Sequence, residues 1–156
     1  GEAVERHPEL TRRILEAGHE LGNHSYAHRR LALRSQSVIR TEVEATDSLL
    51  RAAGMRGRIY FRPPYGKRLV GLPWYLSRTG RTTVLWSLEP DTWYEHTAEM
   101  VEHVLQEAKP GSIILLHVEL ASRSEERAAL PEIIRGLRAR GFEFVTVSEL
   151  IARGES

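Results

Sequence analysis

The 156-residue sequence predicts an α/β fold with a largely parallel sheet, on three observations. Helix-like and strand-like segments alternate along its length. The polar and aromatic clusters fall just after the strand-like segments, where α/β sheets and barrels build their sites. No internal repeat or low-complexity linker interrupts the pattern, so one domain over residues 1–156 is expected.

The elements follow in order. Residues 7–17 read as a helix: Pro8 suits a first turn, Leu10, Ile14 and Leu15 share a stripe, and Gly18 suits the stop. Residues 20–23 form a short strand candidate. Residues 35–53 form a long amphipathic helix with Val38, Ile39, Val43, Leu49 and Leu50 apolar and Gly54 beyond its end. Residues 58–62 read as a strand stopped by Pro63 and Pro64. Residues 67–77 read as a helix despite Gly71 and Pro73. Residues 82–86 form a β-branched strand, and residues 97–108 a helix closed by Pro110 and Gly111. Residues 112–117 are the most apolar strand. Residues 125–140 read as a helix with Pro131 as a kink point. Residues 142–145 are the last strand, and residues 147–153 the last helix, with Ser148 a cap candidate.

Composition narrows the function classes. Hydrophobic residues make up 41% and charged residues 28%, which fits a packed globular domain. The formal net charge of +1 gives no electrostatic argument for nucleic acid or an anionic membrane. The basic run Arg29, Arg30 and Arg34 reads as a solvated face. With no cysteine, disulfides and thiolate metal sites are ruled out, and any metal must be held by His, Asp or Glu. No apolar run approaches the ~20 residues of a membrane-spanning helix. The polar first ten residues do not read as a signal peptide.

Four clusters carry chemistry. In the first, His24 and His28 stand four apart. On a helical turn their Cβ atoms would lie about 5–6 Å apart and could share one metal ion; two surface histidines are the alternative. A zinc-protease reading fails, because His19 and His24 are five apart rather than four. In the second, Arg62-Pro63-Pro64-Tyr65-Gly66 closes a strand. Two prolines leave Tyr65 as the first residue with an N–H to offer, and Arg62 is a cation that can hold a carboxylate through two hydrogen bonds. A tight turn with a surface arginine is the alternative. The third, residues 86–93, joins Trp86 and Trp93 to the acids Glu89 and Asp91, as a sugar pocket often does; a loop with half-buried tryptophans is the alternative. In the fourth, the two-residue strand period puts Ile113, Leu115 and His117 on one face. His117 there is either a core residue or a poised acid–base.

As a set, His-Ser-x-x-His, Arg-Pro-Pro-Tyr, the Trp-containing loop and Leu-x-His resemble the polysaccharide deacetylase family, in its order and over nearly the whole chain. Residues 18–25 are especially similar to it. The resemblance implies a distorted (β/α) barrel lacking its first strand or strands. It implies hydrolysis of N-acetyl groups on amino-sugar polymers or oligomers of chitin or peptidoglycan type. It implies His24 and His28 as ligands of a divalent metal, Zn²⁺ first and Co²⁺, Ni²⁺ or Mn²⁺ as alternatives. Arg62 would orient the catalytic carboxylate, and the Tyr65 amide would hold the oxyanion. Pro64, Trp93 and Leu115 would line the substrate site, and His117 would be the general acid.

Three positions depart from the family pattern. The family's Asp-Asp pair, metal ligand and base, occurs nowhere in the sequence. Thr92 stands where an aspartate usually precedes the tryptophan, so Asp91, with Glu89 competing, is assigned to orient His117. Val118 stands where aspartate is frequent. The Asp-Asp strand is therefore expected upstream or from another chain, and this fragment alone is expected to be a poor catalyst. The resemblance favours a cell-envelope or secreted location. The alternatives are an inactive carbohydrate-binding relative and a deacylase of a non-sugar amide.

Overall fold

The structure, a computed structural model, describes residues 1–67, 69–119 and 121–154. The chain divides into two compact units, Gly1–Leu85 and Trp86–Ser156.

The first unit opens with two helices, α1 (Glu2–Arg6) and α2 (Pro8–Glu16). The sequence predicts a helix over residues 7–17 and none over residues 2–6, where α1 forms. Pro8 at the first position of α2 separates them, since a proline fits a first turn but offers no N–H to a preceding one. Helix α3 (Gln36–Ala52) is capped by Ser35, whose hydroxyl accepts the Val38 N–H. Ile39, Val43 and Leu50 of α3 are buried, whereas Val38 is exposed, so the buried stripe is narrower than the run of apolar letters. Gly54, at φ +104°, takes the left-handed conformation that ends the helix. Helix α4 runs over Gly71–Arg78. It starts four residues later than expected, and Arg68 of the predicted segment lies outside the described residues.

The strand-like segments of this unit pair in parallel but briefly. Asn23 bridges Phe61, and Phe61 bridges Thr83. The Asn23 N–H donates to Tyr60 O, Arg62 N–H to Asn23 O, and Phe61 N–H to Thr82 O. Pro63 and Pro64 have no N–H to extend the ladder, which limits the pairing beyond Arg62. Phe61 is fully buried where α3 and α4 meet this layer, together with Leu31, Ile39, Val43, Leu72, Tyr75 and Leu76. A second cluster, Leu50, Met55 and Ile59, takes in Val4, Leu15 and Leu21.

The second unit contains α5 (Pro90–Trp93), α6 (Thr97–Glu107), α7 (Ser124–Ala139) and α8 (Val147–Gly154). Met100 and Val104 of α6 pack against Ala129, Ile133 and Leu137 of α7. Gly136 permits that approach: a Cβ there would lie 2.6 Å from a methyl carbon of Leu105. Helix α7 runs through Pro131. Leu88 bridges Ile114 in parallel, and Leu115 N–H donates to Leu88 O. The expected strand over residues 142–145 makes no bridge among the described residues. It borders an apolar cleft of about 800 Å³ with Ile113, Leu116, Ile133 and Leu150. The cap of α8 is Thr146 rather than Ser148. Thr146 Oγ1 accepts the Glu149 N–H while Glu149 Oε2 accepts the Thr146 N–H, a reciprocal capping box. Among the described residues no helix is long and apolar enough to cross a membrane.

Candidate active site

The residues expected to bind metal and hold the oxyanion lie in the first unit, on the loops that follow the Asn23 and Phe61 bridges. His24 and His28 are not on a helical turn. Ser25 and His28 both adopt positive φ, at 67° and 51°, and fold the loop back on itself. The rings nevertheless meet, with the two Nε2 atoms 3.1 Å apart. The four-residue spacing therefore brings the rings together through loop geometry rather than helix geometry.

That loop is held from beneath. Asn23 is fully buried; its amide donates to Val43 O and Asp47 Oδ1, and its side-chain oxygen accepts the Ser25 N–H. Glu42, buried on α3, accepts the Tyr26 and Ala27 N–H groups at 3.0 and 2.9 Å. Asp47 is paired in turn with Arg81. Sequence reasoning missed Glu42, Asp47 and Arg81. The available signal was a carboxylate at 42 inside the buried face marked by Ile39, Val43 and Thr46.

His24 Nδ1 lies 2.7 Å from Arg62 O. A carbonyl can only accept, so Nδ1 carries the proton and the neutral ring presents a lone pair at Nε2. This backbone contact is the kind that orients a metal-ligating imidazole. Two nitrogen ligands at about 2.0–2.1 Å from one tetrahedral zinc are separated by about 3.3 Å. The 3.1 Å spacing and the donor type thus fit two corners of a divalent-metal site. Among the described residues no group of three His, Asp or Glu side chains completes such a site.

Arg62 Nε and Nη2 donate to Val84 O and Leu85 O. Burial lowers its pKa, but the guanidinium remains charged at any ordinary pH. Pro64 is buried and begins a single 3₁₀ turn, Pro64–Gly66. Tyr65 sits in that turn at φ 59°, a strained conformation for a residue with a side chain. Tyr65 is 53% exposed, and its ring packs edge-on to His28 at 4.8 Å. Its amide meets no acceptor among the described residues.

The other candidates lie in the second unit. Asp91 Oδ2 accepts from both the His117 N–H, at 2.7 Å, and the His117 ring at Nδ1, at 2.8 Å. The Asp91 side chain is 1% exposed and that of His117 38%. Asp91 thereby holds the Nδ1 proton and leaves Nε2 as the atom able to exchange one. Asp91 Oδ1 is buried without a partner among the described residues. Glu89, the competing acid, instead accepts the Trp86 Nε1–H. Trp93, 75% exposed, lines an open cleft of about 530 Å³ with Asp91, Arg123 and Glu126. Leu115 is half-buried and is not among the residues lining that cleft.

The polysaccharide deacetylase family profile matches residues 1–84, more than half of the chain. A peptidoglycan-N-acetylglucosamine deacetylase of Bacillus cereus is 34% identical over 154 residues, covering 97% of this chain and 72% of its own. The solved peptidoglycan deacetylase PdaC of Bacillus subtilis superposes with a TM-score of 0.86 at 29% identity, covering 99% of this chain and 74% of its own. A solved protein of Bacillus anthracis described as a pseudoenzyme of carbohydrate esterase family 4 gives a TM-score of 0.84 at 26% identity, covering 96% of this chain and 52% of its own. The chain thus spans between about half and three-quarters of the length of these relatives. It belongs to the polysaccharide deacetylase family, and its fold class is the α/β, distorted (β/α) barrel type of that family.

Proposed function

We propose that these residues form part of a metal-dependent hydrolase that removes N-acetyl groups from an amino-sugar polymer or oligomer, of peptidoglycan or chitin-oligosaccharide type. One observation carries the reading: the paired Nε2 atoms of His24 and His28, with the His24 tautomer set by the Arg62 carbonyl. Its support is a donor geometry suited to one cation, in a family whose named relatives act on N-acetylated glycans.

A divalent cation, Zn²⁺ first, would supply acidity to a water and polarise the acetamide carbonyl. The chain's own residues do the rest. His24 and His28 would hold the cation. The Tyr65 amide, without an acceptor among the described residues and fixed in its turn, donates to the carbonyl oxygen as negative charge develops there. His117 Nε2 protonates the departing amine, while Asp91 keeps the opposite ring nitrogen protonated. Arg62 orients the carboxylate that takes the proton from water. Pro64, Trp93 and Leu115 shape the acetyl site. No Asp-Asp pair occurs in the 156 residues. The base and further metal ligand therefore come, in this reading, from polypeptide other than these residues.

Calorimetric titration with Zn²⁺ tests the carrying observation. The wild type should show one site that His24→Ala removes. Undiminished binding in that variant would sink the assignment. The missing Asp-Asp pair and the likeness to a pseudoenzyme favour a second reading, a carbohydrate-binding relative without turnover. In that case the sugar would still bind, but no acetate would be released.

A further inference from the structure

The loop that carries His24 and His28 is shaped by one buried amide, and that amide has a charged partner of its own. The backbone of Asn23 is fixed first: its N–H donates to Tyr60 O, and its carbonyl accepts the Arg62 N–H. Its side chain then sets the residues that follow. The side-chain oxygen accepts the Ser25 N–H at 2.9 Å, while Ser25 stands at φ 67°. A residue with a side chain keeps that conformation only where its surroundings impose it.

An amide can turn over and exchange its oxygen for its NH2. In Asn23 the NH2 donates to two acceptors, Val43 O at 2.8 Å and Asp47 Oδ1 at 2.6 Å. An ionised carboxylate only accepts, so Asp47 helps decide which end of the amide faces Ser25. The carboxylate is held in turn. Arg81 Nη2 lies 2.6 Å from its other oxygen, and the two side chains are 16% and 18% exposed. Glu44, the neighbouring acid on α3, is engaged by Arg40 and by the Tyr75 hydroxyl instead. These contacts run within one compact unit, from Arg81 through Asp47 and Asn23 to the Ser25 amide beside His24.

We propose that Asp47 and Arg81 are a positioning pair for the cation site. By locking the Asn23 amide they hold the His24–His28 loop in its binding shape, and so set its affinity for a divalent cation that neither of them touches. The inference rests on the reading of the two imidazoles as ligands, and its test reads binding rather than turnover.

The natural full-length protein is titrated calorimetrically with Zn²⁺, at a temperature where circular dichroism shows each variant folded. D47A and R81Q should each weaken binding about tenfold, the scale on which outer-shell partners of metal ligands act. The double variant should lose little more than D47A alone, because the two residues act as a unit. D47N keeps an acceptor oxygen and R81K keeps the charge; both should fall between, and they decide the matter if D47A does not fold. Val104→Ala, in the core of the second unit, controls for general destabilisation. It should lower the urea midpoint and leave zinc affinity unchanged. Wild-type affinity in every folded Asp47 and Arg81 variant, or an equal loss in Val104→Ala, would overturn the proposal. Binding that His24→Ala abolishes and the Asp47 variants leave intact would sink the proposal alone. No binding by the wild type would sink the ligand reading with it.

Discussion

His24 is held in one tautomer by a backbone carbonyl. The Arg62 oxygen fixes the proton on Nδ1, so the opposite nitrogen is the one offered to His28 and to whatever they share. His117 is prepared the same way, by a carboxylate instead of a carbonyl. His117→Ala should lower turnover of the full-length protein by ~10²–10⁴ with metal content unchanged. Asp91→Asn should also lower turnover and alter its pH profile, since an amide in that place offers no charge to the imidazolium. Near-wild-type turnover in His117→Ala would return that residue to a packing role. These residues stand out as candidates in the sequence because their types and order are unusual together. The contest between Asp91 and Glu89 was not, because two acids two residues apart differ only in which one α5 turns toward the histidine and which toward Trp86.

The elements were legible to different degrees for physical reasons. Helices α3 and α6 matched their predicted spans within about one residue, since a long stripe with a cap or stop at its ends specifies itself. The strands were found only as extended segments with single bridges. A strand's pairing depends on neighbours distant in sequence, and the segment at 142–145 has none among the described residues. The loop that carries His24 and His28 was the least legible. Its shape comes from Asn23 and Glu42, whose partners are backbone groups that no motif displays. Asn23→Ala should therefore do more than remove a polar side chain. It leaves the Ser25 N–H and the Val43 and Asp47 acceptors short of a partner in a buried site. Urea denaturation should show a loss of about 1–3 kcal/mol, together with weaker zinc binding. Stability and zinc affinity both at wild-type level would show that the loop does not depend on Asn23.

The two units divide the proposed chemistry, metal ligands and oxyanion donor in Gly1–Leu85, general acid and its aspartate in Trp86–Ser156. The family profile falls entirely within the first, although the likeness to solved relatives extends over both. Family membership supports the proposed reaction class, but two imidazoles do not make a complete catalytic zinc site, which usually has three protein ligands. The account thus ties activity to acids that these 156 residues do not contain as an Asp-Asp pair. The most direct test is acetate release from an N-acetylglucosamine oligomer, measured for the 156-residue chain and for the natural full-length protein, each with Zn²⁺ and again after chelation. The account predicts release by the full-length protein that chelation abolishes and Zn²⁺ restores, with little or none from the 156-residue chain. Robust release by the 156-residue chain that survives chelation would contradict it.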